Sequence, residues 1–254
     1  MKQLTIGLVQ PKVFYHPKKS FEENDEINYR HALKHLKGFK KNEVDLIVFP
    51  EFYPGNVTYQ IGKLKELHEE AKRLNSYILC GEFERFGKKM YNSETLISPR
   101  GKIVGRYHKI KLWFDEAKYG VAPGKSLKIF NIKGVKVGIL TCYDLAHIDL
   151  VKKMKELGAE IIVNPSQIVP AYLTLWKYDA VSLANNYRLP IACINCCLYM
   201  GANGKPYGGG KSKIVLPSNV NLSKLIKPIN VNKFVTKKLG SKEGILRYTI
   251  KVKQ

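Results

Sequence analysis

Acidic residues and long apolar stretches are both scarce in this sequence. Its 254 residues include 21 Asp and Glu against 43 Lys and Arg. No apolar run approaches the roughly 20 residues that a transmembrane helix requires, and residues 1–7 lack the apolar block and the cleavage site of a signal peptide. These absences predict a cytoplasmic protein without a membrane partner.

Cysteine is also scarce, and the cysteines present form no recognisable framework. There are five, an odd number, and most lie inside apolar runs, which argues against a set of disulfides. Cys193, Cys196 and Cys197 lie in a strand-like stretch with no second pair of ligands at zinc spacing, and the six histidines form no ligand-spaced cluster. We therefore expect these cysteines to pack in the core, and we expect no bound metal and no cofactor.

The excess of basic residues gives a formal net charge of +22. A positive field of this size attracts nucleic acids, acidic membranes and anionic substrates. The lysines, however, are scattered among apolar residues, without the interleaved aromatic residues or the arginine cluster that would read bases. A lysine-rich solvated surface is the favoured interpretation, and nucleic acid is not an expected partner.

The most informative stretch is residues 136–147. An apolar, strand-like run leads directly to Cys142, and Asp144, a good helix cap, precedes residues with helical spacing. The amino end of a helix favours negative charge, so this junction favours a thiolate and an oxyanion formed beside it. A buried cysteine that only packs is the commoner alternative for the pattern alone. The choice between the two depends on residues elsewhere in the chain.

The order of apolar runs divides the chain into two similar halves. Each half is predicted to contain a strand, a helix, a strand, a helix, a strand and a hairpin. Such a half leaves one face of its sheet uncovered, and packing sheet on sheet gives a four-layer α-β-β-α sandwich with an internal pseudo-two-fold repeat. We expect one domain over residues 1–254, with the strand ends that carry Glu51 and Cys142 meeting between the halves. The expected strands are 4–10, 44–49, 77–80, 92–98 and 102–107, then 135–141, 161–163, 191–195 and a hairpin at 217–219; the expected helices are 21–41, 62–74, 147–157 and 173–187.

Three fragments carry candidate chemistry. They are residues 49–51 (Phe-Pro-Glu), residues 105–112 (Gly-Arg-Tyr-His-Lys-Ile-Lys-Leu) and residues 140–144 (Leu-Thr-Cys-Tyr-Asp). In this order and with these neighbours they resemble the signature of the nitrilase, or carbon–nitrogen hydrolase, superfamily. The resemblance extends over nearly the whole chain and is closest to the amidase-like branch. It implies an enzyme with a Glu-Lys-Cys triad.

The resemblance assigns roles to four residues. Glu51 matches the general base, Lys109 the lysine and Cys142 the nucleophile, while Glu116, ahead of a Pro-Gly pair, matches a further acid. Each has an ordinary alternative: Glu51 as an acid in a solvated turn, Lys109 as surface charge, and Glu116 as a group that only holds Lys109 in place. Three more residues, Tyr53, Tyr143 and Ser166, are candidates for lining a substrate pocket, with a structural role as the alternative.

The resemblance implies an amidohydrolase that uses no metal or organic cofactor and cleaves a small linear amide or carbamoyl compound. The expected product is a carboxylate, released through a thioester on Cys142 together with ammonia or an amine. Tyr143 and Asp144 follow Cys142 where true nitrilases carry Trp-Glu, so a nitrile is not the expected substrate. Relatives are usually dimeric, so we expect a homodimer or a higher homo-oligomer.

Two other functions stay open at this stage. An acyltransferase of the same superfamily would pass the thioester's acyl group to an amine. A non-catalytic basic binding protein on the same scaffold is suggested by departures from the family pattern. Ala146 stands where amidases commonly have arginine, and Val181 and Ala184 replace an arginine and a glutamate in the helix after Trp176.

Overall fold

The computed structural model describes residues 1–55, 60–200, 206–207, 209–218 and 231–252. Four α-helices and fourteen strands are assigned within these ranges. The helices are α1 (Phe21–Lys37), α2 (Lys65–Leu74), α3 (Ile148–Glu156) and α4 (Leu173–Tyr187). The strands are β1 (Lys2–Gln10), β2 (Leu46–Val48), β3 (Tyr77–Phe86), β4 (Lys89–Ile97), β5 (Ile103–His108), β6 (Ile129–Ile132), β7 (Val135–Ile139), β8 (Ile161–Ser166), β9 (Ile191–Asn195), β10 (Tyr199–Met200), β11 (Pro206–Tyr207), β12 (Lys213–Val215), β13 (Lys237–Lys238) and β14 (Gly244–Val252).

Two six-stranded sheets have the same internal plan. Their orders are β14-β1-β2-β3-β4-β5 and β6-β7-β8-β9-β12-β13. In each sheet three central strands are parallel, one antiparallel strand flanks the first of them, and two antiparallel strands follow the third. Strands β10 and β11 form a separate two-stranded ribbon. The predicted repeat of the two halves is therefore confirmed.

Alternation along the strands explains the four layers. In β1 and β2, Leu4, Ile6, Leu46 and Val48 pack in the core between the two sheets. Ile47 points to the opposite face of the first sheet, into a second core formed with α1 and α2. Helix α3 lies against the outer face of the second sheet, where Met154 packs on Gly138 of β7, and α4 packs beside α3. The expected α-β-β-α sandwich is confirmed.

One glycine in each half allows a strand to lie close to its helix layer. A β-carbon on Gly7 would lie 2.7 Å from the Phe39 ring, and one on Gly138 would lie 2.9 Å from the Met154 sulfur. Both distances are shorter than a β-carbon tolerates, so a larger residue would force the helix layer away. The two glycines occupy matching positions on β1 and β7, the first parallel strand of each sheet.

The sequence did not reveal every element. Strands β6 and β14 were not expected, and β3 continues to Phe86 before turning into β4. Helix α1 ends at Lys37, because the chain then turns inward to bury Phe39. The hairpin turn expected at 217–219 lies partly outside the described residues, which stop at Ser218 and resume at Val231. No helix in the described ranges is both long and apolar enough to cross a membrane.

Candidate active site

Two short connections after parallel strands bring Glu51 and Cys142 together. Glu51 follows β2, and Cys142 begins a 3-10 helix, Cys142–Ala146, shortly after β7. Phe52 and Cys142 have positive φ angles of 60° and 48°, which side chains other than glycine rarely adopt. The side-chain amide of Asn164 donates to the carbonyl oxygens of Leu140 (2.6 Å) and Cys142 (3.3 Å) and so stabilises the turn.

Asp144 joins the cysteine turn to the segment that carries Lys109. Its carboxylate accepts hydrogen bonds from the Tyr107 hydroxyl (2.7 Å) and from the backbone N–H groups of Lys111 (2.7 Å) and Thr141 (3.2 Å). Asp144 is the third residue of the 3-10 helix, and Thr141 is the N-cap. This corrects the expectation that Asp144 is the cap itself. Burial raises the pKa of Asp144 to about 6.

Lys109 lies between two carboxylates at the centre of the site. Its Nζ is 2.8 Å from Oε1 of Glu51 and 2.8 Å from Oε2 of Glu116. The Asn92 side-chain amide donates to both carboxylates, at 2.8 Å to Glu51 and 2.7 Å to Glu116. The backbone N–H of Gln167 donates to the other oxygen of Glu51 at 2.9 Å. The charges and hydrogen bonds together fix the Glu51 carboxylate in one orientation.

A cavity of about 510 Å³ opens above this network. The side chains of Glu51, Lys109, Glu116 and Cys142 all contribute to its lining, as does Tyr143. The remaining wall is mainly apolar and aromatic, with one further carboxylate. Among the residues that the structure describes, it includes Phe52, Trp113, Phe114, Leu145, Ala146, Gln167, Ile168, Val169, Tyr172, Leu175, Trp176 and Asp179. A small organic molecule of this volume could reach the cysteine and both carboxylates at once.

Electrostatics set the resting protonation states of Cys142 and Lys109. Burial raises the pKa of the Cys142 thiol, and the Glu51 charge raises it further, against smaller opposing effects of Lys109 and the Gln167 N–H. This corrects the expectation of a stabilised thiolate. Burial by itself would lower the pKa of Lys109, but the charges of Glu51 and Glu116 outweigh it and the pKa is raised. The site therefore rests as a neutral thiol beside a permanently charged ammonium.

Comparison with known proteins identifies the family. The sequence model described as carbon-nitrogen hydrolase matches residues 5–224, which is most of the 254-residue chain. The chain belongs to the carbon–nitrogen hydrolase family. The resemblance seen in the three sequence fragments is confirmed.

Curated relatives of this carbon–nitrogen hydrolase family member are nitrilases and amidases. It is 28% identical over 162 residues to a nitrilase of Pyrococcus abyssi, covering 57% of this chain and 60% of that protein. It is 26% identical over 183 residues to an (R)-stereoselective amidase of a Pseudomonas species, covering 68% and 66%. With the omega-amidase NIT2 of Danio rerio the identity is 30% over 142 residues, covering 47% and 50%. The chain thus spans about half to two thirds of the length of these relatives.

Solved structures agree on the fold. A carbon–nitrogen hydrolase superfamily protein of Xanthomonas campestris, whose active site holds an arsenic adduct, superposes with a TM-score of 0.78 at 17% identity. That superposition covers 99% of this chain and 91% of the other. An amidase from a Nesterenkonia species gives a TM-score of 0.67 at 18% identity, over 97% and 90% of the two chains. At these identities the likeness supports the family's fold alone.

Two candidate pocket residues lie elsewhere in this carbon–nitrogen hydrolase fold. Tyr53 is fully buried in the core under α1 and α2, and its hydroxyl lies 3.1 Å from His31 Nδ1. Ser166 is also buried, and its hydroxyl donates to the Asn164 side chain at 2.9 Å. Neither residue is part of the cavity lining, whereas Phe52, next to Tyr53, is. The expectation that Tyr53 and Ser166 line the pocket is therefore corrected.

Sequence reasoning missed the residues that hold the charged groups in place. Asn92, Asn164 and Gln167 all hydrogen-bond to candidate site groups, yet none belongs to the three fragments. Asn92 and Asn164 lie on the buried strands β4 and β8. A buried polar side chain must be hydrogen-bonded, so the asparagine at the end of the apolar run Ile161–Val163 was an available signal for Asn164, whereas the polar sequence of β4 gives no such signal for Asn92.

Glu94 is another buried acid near the site, two residues after Asn92 on β4. Neither of its carboxyl oxygens has a well-formed hydrogen bond within the described part of the chain. Burial raises its pKa well above the usual range, and the charges of Glu51 and Glu82 raise it further. Burial and the neighbouring carboxylates therefore favour the protonated form of Glu94.

Two histidines also form a cluster that the sequence analysis missed. His31 and His35, four residues apart on α1, lie 3.2 Å and 3.6 Å from Oε2 of Glu243. Their possible ligand atoms all lie within 4.8 Å of one another. The Glu243 carboxylate also accepts the backbone N–H of Lys12 at 2.9 Å, so the cluster links α1, β1 and the start of β14. The expectation of no ligand-spaced histidine cluster is corrected; the expectation of no metal stays a prediction.

Proposed function

We propose that the protein hydrolyses a small linear amide or carbamoyl compound, with Cys142 as the nucleophile. One observation carries the proposal: Lys109 lies 2.8 Å from both Glu51 and Glu116 in a cavity that Cys142 also lines. A base, a cation and a nucleophile that share one cavity are the groups that acyl transfer from an amide requires. The family and the amidase names among the relatives support the same reaction class.

Acylation begins with the neutral thiol. Glu51 removes the thiol proton as the sulfur attacks the amide carbonyl carbon, so no free thiolate accumulates. The raised pKa of Cys142 fits this role for Glu51, since the thiol keeps its proton until a substrate is present. The carbonyl oxygen becomes an oxyanion, stabilised by the ammonium of Lys109 and the backbone N–H of Tyr143.

The intermediate then collapses to a thioester. The C–N bond breaks, and Glu51 returns its proton to the departing ammonia or amine. Glu51 next removes a proton from a water molecule as the water attacks the thioester carbonyl, and it returns that proton to the Cys142 sulfur when the C–S bond breaks and the carboxylic acid leaves. Glu116 holds Lys109 in position throughout, because its carboxylate is fixed by Asn92 and by the Trp113 N–H at 2.6 Å.

The alternatives differ from hydrolysis in the fate of the acyl group. An acyltransferase would pass it from the thioester to an amine, whereas the binding protein would never form a thioester. The complete set of Glu51, Lys109, Glu116 and Cys142 around one cavity supports the hydrolase over the binding protein. A homodimer and a cytoplasmic location, both expected from the sequence, stay predictions.

Mass spectrometry of the intact protein tests the proposal. The protein is incubated with a mixed library of small amides, and an adduct equal to the substrate mass minus ammonia is expected on Cys142. Cys142→Ala should show no adduct and no turnover, whereas Glu51→Gln should lose about 10²–10⁴-fold in kcat. Cys197→Ala is the matched control, since Cys197 is not a lining residue.

The outcomes separate the three functions. Ammonia and carboxylate released together support the hydrolase, and a product that retains an added amine instead supports the acyltransferase. Turnover by Cys142→Ala at the wild-type rate would overturn the assignment of the nucleophile. No adduct with any amide, combined with salt-dependent binding of nucleic acid, would support the binding protein.

A further inference from the structure

The cavity carries more negative than positive charge, in contrast to the molecule as a whole. Among the described residues that line it, Glu51, Glu116 and Asp179 are acidic and only Lys109 is basic. Lys109 already contacts both glutamates at 2.8 Å. A protein with a net charge of +22 thus has an acidic substrate cavity.

Asp179 is the lining carboxylate without a counter-charge. It lies on α4, almost one turn after Trp176. Its carboxylate forms no hydrogen bond or ion pair with any residue that the structure describes, and its partial burial raises the pKa of the group. A partly buried carboxylate without a partner has lost hydration that nothing replaces. A cation brought by a ligand would restore that interaction as a charge-assisted hydrogen bond.

Lys213 does not neutralise Asp179. Its Nζ lies 3.1 Å from the centre of the Trp176 ring and has no hydrogen-bond partner in the described chain. Lys213 is not a lining residue, and burial lowers its pKa to about 7. At and above neutral pH a large share of Lys213 is therefore uncharged, and Asp179 remains the unbalanced charge on this side of the cavity.

The aromatic part of the wall also suits a cation. The ring of Trp113 makes edge contacts with the rings of Phe114 (4.8 Å), Tyr143 (4.9 Å) and Tyr172 (5.2 Å between centroids). All four residues line the cavity. Aromatic faces attract ammonium groups, and clusters of such rings are a common way of binding them. An aliphatic stem would be buried against the same rings.

We propose that the cavity selects amides that also carry an ammonium group, with the Asp179 carboxylate as its ionic partner. This inference rests on the proposed function, because it assumes that the amide itself is held at Cys142. A substrate with a carboxylate would instead meet the like charge of Asp179. Within the described lining it would find no cation except Lys109, which is already paired.

Three matched amides test the charge preference. They are 5-aminopentanamide, its neutral isostere hexanamide and the anionic 5-amino-5-oxopentanoate, with ω-amino amides of three to six carbons to vary the length. The wild-type protein should show a kcat/KM for the best ω-amino amide at least about 10-fold above that of its neutral isostere. Asp179→Asn should reduce this ratio about 10- to 100-fold, as expected for one hydrogen-bonded charge pair.

Asp149→Asn is the matched control. It removes the same charge from an exposed position on α3 and should leave the ratio unchanged. Hydrolysis of hexanamide with no preference for the cationic amides, or a ratio that Asp179→Asn does not alter, would overturn this inference while leaving the proposed function intact. Failure to acylate Cys142 with any of the amides, whatever their charge, would instead count against the proposed function.

Discussion

Lys109 and Lys213 are two buried lysines in opposite surroundings. Each exposes only 2–3% of its surface. Lys109 has two carboxylates at 2.8 Å on the floor of the cavity. The Nζ of Lys213, behind the cavity wall, has no hydrogen-bond partner in the described chain and lies over the ring of Trp176. Burial lowers the pKa of either ammonium, so the partners decide the outcome.

The difference shows how one fold produces two kinds of buried lysine. The charges of Glu51 and Glu116 reverse the effect of burial, and Lys109 stays charged at every working pH. Burial lowers the pKa of Lys213 to about 7; Cys193 opposes this shift in part, and the like charge of Lys177 adds to it. The π face of Trp176 offsets part of the lost hydration. We therefore expect opposite results when each lysine is replaced by an apolar residue.

Lys109→Met should have the largest effect. It removes the cation beside the developing oxyanion, so kcat should fall by at least about 10²-fold. It also leaves Glu51 and Glu116 buried without a counter-charge, which should lower the free energy of unfolding by about 3–5 kcal/mol. Amide turnover and denaturant unfolding at pH 7.5 measure the two effects.

Glu116→Gln tests the same arrangement if the Lys109 variant does not fold. It removes one of the two partners of Lys109 and leaves the other, so the protein should fold with a smaller loss of stability. Its kcat should fall less than that of Glu51→Gln, because Glu116 positions Lys109 and transfers no proton. Equal kcat for Glu116→Gln and the wild type would show that the second carboxylate is not needed.

Much of the site can be predicted from local sequence patterns. The order of apolar strands places Glu51 and Cys142 at matching strand ends, and the structure brings both into one cavity with Lys109 and Glu116. The turn at Phe52 could not be read from the sequence. Its positive φ reverses the chain, so Phe52 lines the cavity and Tyr53 packs under the helices.

The missed elements depend on partners far away in the chain. Strand β14 mixes basic and apolar residues and is recognisable mainly by its pairing with β1, more than 230 residues earlier. The cluster of His31, His35 and Glu243 depends on the same pairing, because β14 brings Glu243 to α1. Lys213 and Glu94 were missed because their burial results from packing between layers, which no local pattern records.

Lys213→Met should have the opposite effect on stability. Methionine has nearly the same length and needs no counter-charge or hydration, so the variant should gain about 4–5 kcal/mol in free energy of unfolding at pH 6, which is what a pKa lowered from 10.5 to about 7 corresponds to. Urea unfolding of the variant and of the wild type, at the same pH and salt, measures the difference. A loss of stability would show that the contact between the ammonium and Trp176 outweighs the cost of burial.

The pH dependence of the stability gained by Lys213→Met is the most sensitive test of the contrast between Lys109 and Lys213. The pKa of Lys213 is about 7 in the folded protein, against an ordinary 10.5 when unfolded. Between these values the unfolded chain binds a proton that the folded protein does not, so Lys213 makes stability rise with pH by up to about 1.4 kcal/mol per pH unit.

The gain from Lys213→Met should therefore be full below pH 7 and shrink towards pH 10. Subtracting the two unfolding curves at pH 6, 8 and 10 cancels every other titrating group. A gain that stays constant over this range would mean that Lys213 has an ordinary pKa, and the contrast with Lys109 would then lie in contacts alone.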